Sequence, residues 1–159
     1  MPIRDVTPQD ISFISGLDER EFSQYSGPGH MTCMKYMNEP HTLTLIHTNN
    51  ETENIPTGFV IVQWSTTKSC SYIIAIAVAP EQRNRGVGSS LLKECECRMR
   101  EALGPHGMFL HVGEHNSARK LFVKHGFQDW KYDPHTPEMR VSLYRYNKEK
   151  ALPMAKVIT

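Results

Sequence analysis

A short glycine-rich stretch with two arginines, VAPEQRNRGVGSSLL, carries the residues best suited to hold a ligand. Within it Arg83, Gly86 and Gly88 keep the spacing R-x-x-G-x-G, and Arg85 adds a second positive charge. Glycine lets the backbone approach a ligand closely and adopt turns that a Cβ would forbid. A helix that begins near Gly86 would present unpaired N–H groups and the positive end of its dipole, which favour phosphate. The stretch therefore predicts an anion site made largely of backbone.

Two common phosphate-binding motifs do not match this stretch. A P-loop would need Gly-Lys-Ser/Thr at its end, and a dinucleotide fingerprint would need G-x-G-x-x-G. The glycines could also do no more than make a strand-to-helix turn, because short glycine motifs recur by chance. The interpretation as a ligand site therefore depends on the elements around it.

In total, two strands and two helices are predicted around the glycines. Ser71–Val78 is nearly all apolar, as expected for a central strand that is buried on both faces. The pattern then predicts a helix at Gly86–Leu103, a strand at Met108–Val112 and a helix at Ser117–His125. Because a long helix connects the two strands, we expect them to be parallel neighbours.

The remaining elements predict a mixed α/β fold with one central sheet. A helix should follow the capping sequence Thr7–Asp10, and further strands and helices are predicted at Ile3–Val6, Met31–Met37, Thr42–Thr48 and Thr57–Trp64. Residues 128–132 and 139–146 read as a closing hairpin. We expect residues 1–150 to form a single domain and residues 151–159 to be a loose tail.

Composition argues against several classes of protein. The 159 residues carry 18 basic and 17 acidic side chains, so no strong field favours nucleic acid or a membrane surface. No apolar run approaches the ~20 residues of a spanning helix. The four cysteines form no C-x-x-C pair and the eight histidines are dispersed, which predicts reduced thiols, a cytoplasmic protein and no metal site.

The pattern from residue 71 to 128 resembles the GNAT superfamily of acetyl-CoA-dependent N-acetyltransferases. The residues that carry the resemblance are Ser71–Val78, the loop Arg83–Ser89, the triplet Leu110-His111-Val112, Asn116, Ala118, Leu121 and the sequence His125-Gly126-Phe127. The ribosomal-protein N-terminal acetyltransferases are the most similar branch. The resemblance implies a mixed sheet of about seven strands flanked by about four helices, with strands 4 and 5 parallel and splayed.

The resemblance also implies where acetyl-CoA, the co-substrate, would bind. The pantetheine arm would pair with the backbone of Ile76 and Val78, much as an added strand does. The diphosphate would lie on N–H groups from Asn84 to Ser89, and an N–H near Ala77 or Val78 would polarise the thioester. The full set of implied contacts is Ile76, Ala77, Val78, Arg83, Asn84, Arg85, Gly86, Val87, Gly88, Ser89, Asn116 and Phe122.

The general base has two candidates in this sequence. Members of the family carry a glutamate at the position of Tyr72 or at the position of His111. A histidine there could accept the ammonium proton with a pKa near neutral, or it could only hydrogen-bond within its strand. Glu114 is a further candidate, but it should lie past the strand end.

The general acid departs from the family pattern. The family places a tyrosine where this chain has Phe122, so the hydroxyl that protonates the leaving sulfur is missing. Thiolate could leave unaided, or Tyr132 or Tyr144 could supply the proton.

The predicted function is transfer of an acetyl group from acetyl-CoA to a primary amine by direct attack. The acceptor could be a peptide N-terminus, a lysine or a small polyamine, and the protein could be a monomer or a homodimer. The alternative is a catalytically degenerate module that binds acyl-CoA as a sensor or regulator.

Overall fold

The computed structural model describes residues 2–26, 32–130, 145–146 and 149–159. In these residues the strands are β1 Ile3–Asp5, β2 Thr42–Thr48, β3 Pro56–Ser65, β4 Cys70–Val78, β5 His106–Gly113, β6 Gln128–Asp129, β7 Arg145–Tyr146 and β8 Glu149–Ile158. The α-helices are α1 Ile11–Ser26, α2 Thr32–Met37, α3 Val87–Leu103 and α4 Ala118–Lys124, with short 3-10 turns at Pro8–Asp10 and Pro80–Gln82.

The strands form one mixed sheet in the order β1-β2-β3-β4-β5-β8-β6, and β7 pairs with β8. Strands β1 to β4 are antiparallel, whereas β4 and β5 are parallel and connected by α3. The predicted mixed sheet, its parallel fourth and fifth strands and its four α-helices are therefore confirmed. The described residues contain eight strands, one more than predicted.

Each face of the sheet has its own apolar core. Leu91 and Met99 of α3 are buried on one face, in a cluster with apolar residues of β2, β3, β4, β5 and β8. Ile14 and Leu17 of α1 are buried against β2, β3 and β4 on the other. Burying a side chain of this size stabilises the fold by about 1.5–3 kcal/mol, so each helix is fixed to its face mainly by apolar contact.

A β-bulge in β4 decides which of its residues face each core. Val62 pairs with Ile73 and Ile61 pairs with Ala75, so Ile74 is an extra residue in the ladder. Side chains of a regular strand alternate between faces, and one extra residue reverses the alternation. Consequently Ile73 lies in the α3 core, whereas Ala75 lies in the α1 core.

Strands β4 and β5 pair only where they begin. Cys70, Ser71 and Tyr72 pair with residues 107–109, and beyond this point the two strands separate. The predicted splay is therefore confirmed.

A buried serine–histidine pair holds the closed end of this gap. The Ser71 hydroxyl lies 2.8 Å from His106 Nε2, and His106 Nδ1 lies 2.7 Å from the Gly104 carbonyl oxygen. A carbonyl can only accept, so Nδ1 donates to Gly104 and Nε2 accepts from Ser71. Both side chains are buried, which makes the pair a structural link between β4 and the start of β5.

The C-terminal segment differs from the prediction. Residues 151–159, expected to be a loose tail, lie almost entirely in β8, whose residues 151–158 pair with all of β5. Strand β6 pairs with β8, and residues 139–144 of the predicted hairpin lie outside the described residues. Pro153 is accommodated because its carbonyl accepts from Trp130, so its missing N–H faces away from β5.

We expect Ser71→Ala to lower the free energy of unfolding by about 1–3 kcal/mol, because it leaves His106 Nε2 buried without a donor. Urea denaturation measures the change. Thr67→Ala, in the exposed turn before β4, removes a hydroxyl without burying a partner and should stay within about 0.5 kcal/mol of wild type. Equal stability of the two variants would contradict a structural role for the pair.

Candidate active site

A cavity of about 590 Å³ lies where β4 and β5 separate. Four parts of the chain meet there: the end of β4, the loop that leads into α3, the start of α4 and one residue of α1. The lining residues are Glu21, Ile76, Ala77, Val78, Gln82, Arg83, Asn84, Gly86, Val87, Gly88, Ser89, Asn116, Ser117, Ala118, Leu121, Phe122 and Lys124. The cavity therefore brings together nearly every residue predicted to contact the coenzyme.

The backbone of β4 offers free hydrogen-bonding groups to this cavity. The Ala77 carbonyl oxygen points toward β3, since it lies 2.9 Å from the position that a Cβ on Gly58 would occupy. Successive peptide groups of a strand alternate in direction, so the N–H and C=O groups of Ile76 and Val78 face the gap. Of the two amides predicted to polarise a thioester, Val78 therefore faces the gap and Ala77 does not.

The start of α3 has the backbone geometry expected of an anion site. Gly86 has φ +82° and Asn84 has φ +63°, in the left-handed region, where a side chain is unfavourable. The first hydrogen bond of the helix runs from the Ser90 N–H to the Gly86 carbonyl at 3.0 Å. The amides from Gly86 to Ser89 precede this bond, so they have no acceptor within the helix and are available to an anion.

Gly88 serves packing rather than backbone conformation. A Cβ at this position would lie 2.9 Å from Cδ2 of Leu121. The glycine therefore allows the first turn of α3 to approach α4 closely.

The charge of Arg83 is balanced by a residue of α1 that the sequence analysis did not include in the site. Its Nη2 lies 2.5 Å from Oε1 of Glu21 on α1, and its Nε donates to the Val78 carbonyl at 3.2 Å. Glu21 also lines the cavity. Arg85, predicted to contact the coenzyme, is exposed and is not among the lining residues. Neither the ion pair of Arg83 with Glu21 nor the position of Arg85 outside the lining could be predicted from local sequence, because both depend on how the loop packs in the tertiary structure.

Asn116, rather than its neighbour, occupies the position predicted for a cofactor contact. Asn116 lines the cavity, and its Oδ1 accepts from the Ala118 N–H at 2.9 Å, which fixes the side chain at the start of α4. The side chain of His115 is 82% exposed.

Phe122 stands between the core and the cavity. Its side chain is 4% exposed and meets the Phe127 ring edge-on, with centroids 5.9 Å apart. It also lines the cavity, as predicted. Lys124, the last residue of α4, also lines the cavity; it was not among the residues predicted to contact the coenzyme.

Tyr72 and His111 form a pair on the α1 side of the sheet. The Tyr72 hydroxyl is hydrogen-bonded to His111 Nδ1, and the two ring centroids are 5.5 Å apart. Neither residue is in the cavity lining. Tyr72 is the last residue of β4 that pairs with β5, so this pair lies at the apex of the gap.

The protonation of His111 differs from the prediction. Burial lowers the pKa of His111 to about 4, instead of leaving it near neutral. His111 Nε2 is buried and has no hydrogen-bond partner among the described residues. At pH 7 the imidazole is therefore uncharged, with one nitrogen held by Tyr72 and the other unpaired.

The remaining candidate acids and bases are Tyr132, Tyr144 and Glu114. Tyr132 and Tyr144, predicted as possible acids, lie outside the described residues. Glu114 follows the end of β5 in a turn, where its carboxylate is 3.4 Å from the exposed His115 ring.

The part of the chain that the structure describes contains neither a metal-ligand cluster nor a membrane-spanning helix. Nowhere in ranges 2–26, 32–130, 145–146 and 149–159 do three or more His, Cys, Asp or Glu side chains gather as metal ligands. No helix in the same ranges is both long enough and apolar enough to cross a lipid bilayer.

Comparison with solved structures places the fold among acetyltransferases. The ribosomal-protein-S18-alanine N-acetyltransferase of Escherichia coli superposes with a TM-score of 0.74 at 20% identity, covering 99% of this chain and 94% of that one. An aminoglycoside 6'-N-acetyltransferase complexed with coenzyme A gives 0.77 at 14% identity, with coverage of 100% and 98%. Ard1 from Thermoplasma volcanium gives 0.74 at 20% identity, with coverage of 99% and 97%.

Sequence comparison defines the family. No curated protein sequence matches the chain at a significant level. The family model of the acetyltransferase (GNAT) family, however, matches residues 13–127, which include α1, the cavity and α4. The chain therefore belongs to the GNAT acetyltransferase family, whose co-substrate is acetyl-CoA.

Proposed function

We propose that this protein transfers the acetyl group of acetyl-CoA to a primary amine by direct attack of the amine on the thioester. The observation that carries the proposal is the separation of β4 from β5 after Tyr72. The resulting gap leads from the amides of α3 to the Tyr72–His111 pair. The gap thus connects the candidate phosphate site with His111, the candidate base.

The coenzyme would lie along this gap. Its diphosphate would accept from the amides of Gly86 to Ser89, close to Asn84 and Val87. Its pantetheine arm would pair with the backbone of Ile76 and Val78 and direct the thioester toward the apex. Arg83 need not leave Val78, because a carbonyl oxygen has two lone pairs and can accept from both.

The chemical step needs a neutral amine, a polarised carbonyl and a leaving thiolate. The ammonium first loses a proton, and the amine nitrogen then attacks the carbonyl carbon while the Val78 N–H stabilises the oxyanion. The C–S bond breaks with its electron pair on sulfur. The proton released by the new amide nitrogen ends on this sulfur, so the products are the N-acetyl amine and the coenzyme thiol.

The hydrogen bond to Tyr72 decides whether His111 can act as the base. If Nδ1 donates to the Tyr72 oxygen, Nε2 carries a free lone pair; if the tyrosine donates, Nε2 carries the hydrogen. The base role requires the first arrangement. Because its pKa is about 4, His111 is a weak base and must pass the proton on to solvent.

Nitrogen as the acceptor atom is supported by the neighbours described above, which are N-acetyltransferases. The acceptor would approach from the α1 side, where Tyr72 and His111 lie. A panel of amines is therefore the direct test of the proposal, with release of the coenzyme thiol as the signal. A protein that binds acetyl-CoA but releases no thiol with any amine would favour the sensor alternative.

We expect Gly86→Glu to weaken the binding of CoA by at least ~10²-fold, because its carboxylate would repel the diphosphate. Isothermal calorimetry measures the affinity, and thiol release should fall to the blank level. Nothing lies within 4 Å of an added Cβ at this position, so the fold has room for the side chain. Gly86→Gln is the matched control: it has the same size and backbone strain but no charge, and it should retain most of the affinity. Equal losses in the two variants would contradict the anion site.

We expect His111→Ala to lower kcat/KM by ~10²-fold at pH 7.5 while leaving the affinity for CoA unchanged. With a pKa of about 4, His111 should add no ionisation near neutrality, so kcat/KM of the wild type should rise with pH only as the amine loses its proton. The exposed His115→Ala is the control and should match wild type. A wild-type limb near pH 6.5 that disappears in His111→Ala would contradict the effect of burial.

We expect Phe122→Tyr to raise kcat several-fold, because the added hydroxyl can stabilise charge on the departing sulfur. Melting temperature and turnover are measured together. Phe127→Tyr is the control, since Phe127 is 1% exposed and absent from the cavity lining. It should lose about 1–3 kcal/mol of stability and gain no rate. A destabilised Phe122→Tyr with unchanged kcat would place this ring away from the sulfur.

A further inference from the structure

Lys124, which lines the cavity, and Lys93 on α3 lack the carboxylate partners that Arg83 and Lys156 have among the described residues. Arg83 is paired with Glu21, and Lys156 is paired with Glu96 at 2.7 Å. Lys93 on α3 and Lys124 at the end of α4 make no ion pair with any described residue. Both therefore keep an uncompensated positive charge.

The two lysines converge on the first turns of α3. His125, next to Lys124, hydrogen-bonds through Nε2 to the Ser89 hydroxyl at 2.9 Å, and its carbonyl accepts from Lys156 at 2.5 Å. These bonds hold the end of α4 against α3. Lys93 follows Ser89 by four residues and so lies on the same face of the helix. Ser89, Lys93, Lys124 and His125 together form what we call the α3–α4 rim.

The charge of the rim comes from its lysines. Burial lowers the pKa of His125; Glu96 acts in the opposite direction, and Lys156, Lys93 and Lys124 lower it further. The imidazole is therefore neutral at pH 7. Ser89 and Lys124 also line the cavity, which places the rim at its edge rather than on a separate surface.

The covalent structure of CoA limits where its third phosphate can go. The ribose carries the diphosphate on its 5′-carbon and a phosphomonoester on its 3′-carbon, so the two groups are separated by one sugar ring. If the pantetheine arm enters the gap and the diphosphate lies on the amides of Gly86 to Ser89, the ribose must leave on the side away from the gap. That side is the α3–α4 rim.

We propose that Ser89, Lys93 and Lys124 bind the ribose 3′-phosphate of CoA, and that the protein thereby discriminates CoA from 3′-dephospho-CoA. The proposal rests on the proposed function, which seats the diphosphate at the start of α3. Arg83 is already neutralised by Glu21, and Arg85, unlike Lys124, is outside the cavity lining. Lys93 is outside the lining too, but it lies on the face of α3 that carries Ser89, and its charge acts on His125 beside Lys124. The lysines of the rim are thus the cations best placed for a dianionic phosphate.

The test compares the affinities of CoA and 3′-dephospho-CoA by calorimetry in wild type, Lys124→Met, Lys93→Met and the double variant. We expect wild type to prefer CoA by about tenfold, each single variant to lose part of this preference, and the double variant to bind both ligands within about twofold. Affinity for 3′-dephospho-CoA should change little in any variant. Lys120→Met is the matched control, because this exposed lysine of α4 is outside the cavity lining.

The outcomes separate this proposal from the proposed function. Equal losses for both ligands would place the lysines on the diphosphate and overturn the 3′-phosphate assignment. So would a wild-type protein that binds both ligands equally. Loss of CoA preference in the double variant supports the assignment even if no amine is acetylated, whereas a wild type that binds neither ligand overturns the proposed function and this inference together.

Discussion

The structure depends on the point at which β4 and β5 stop pairing. Backbone N–H and C=O groups inside a protein need partners, and a parallel neighbour normally supplies them. Beyond Tyr72 the groups of Ile76 and Val78 face a gap instead, so an extended ligand can take the place of the missing strand. The buried Ser71–His106 bond closes one end of this gap, and the first turn of α3 lies at the other.

The β-bulge at Ile74 relates the two faces of the sheet to that gap. The bulge places Ile73 in the α3 core and Ala75 in the α1 core. Both faces of β4 are therefore packed, while its edge toward β5 is open. The anion site therefore forms on the side of α3 and α4. The Tyr72–His111 pair forms on the side of α1, and a thioester held in the gap would be reachable from both.

Charge is distributed unevenly around the cavity. The Glu21–Arg83 ion pair neutralises the arginine that lines the cavity, which leaves the backbone amides and the lysines of the α3–α4 rim to face an anion. At the apex, burial keeps His111 uncharged, so its imidazole does not repel an incoming ammonium. Specificity for the coenzyme and reactivity toward the amine would then arise from separate groups.

The sequence by itself determined the elements with strong periodicity and the backbone-built part of the site. The apolar run of β4, the amphipathic α3 and the spacing of Arg83, Gly86 and Gly88 predicted the parallel strands and an anion site, because each depends on local pattern. The splay was implied by the resemblance to the family. Only the tertiary structure decided the contacts between distant segments: Glu21 with Arg83, Lys124 with the cavity and Tyr72 with His111. It also placed residues 151–158 in the sheet and lowered the pKa of His111, since pairing partners and burial are set by the packed fold and not by neighbouring residues.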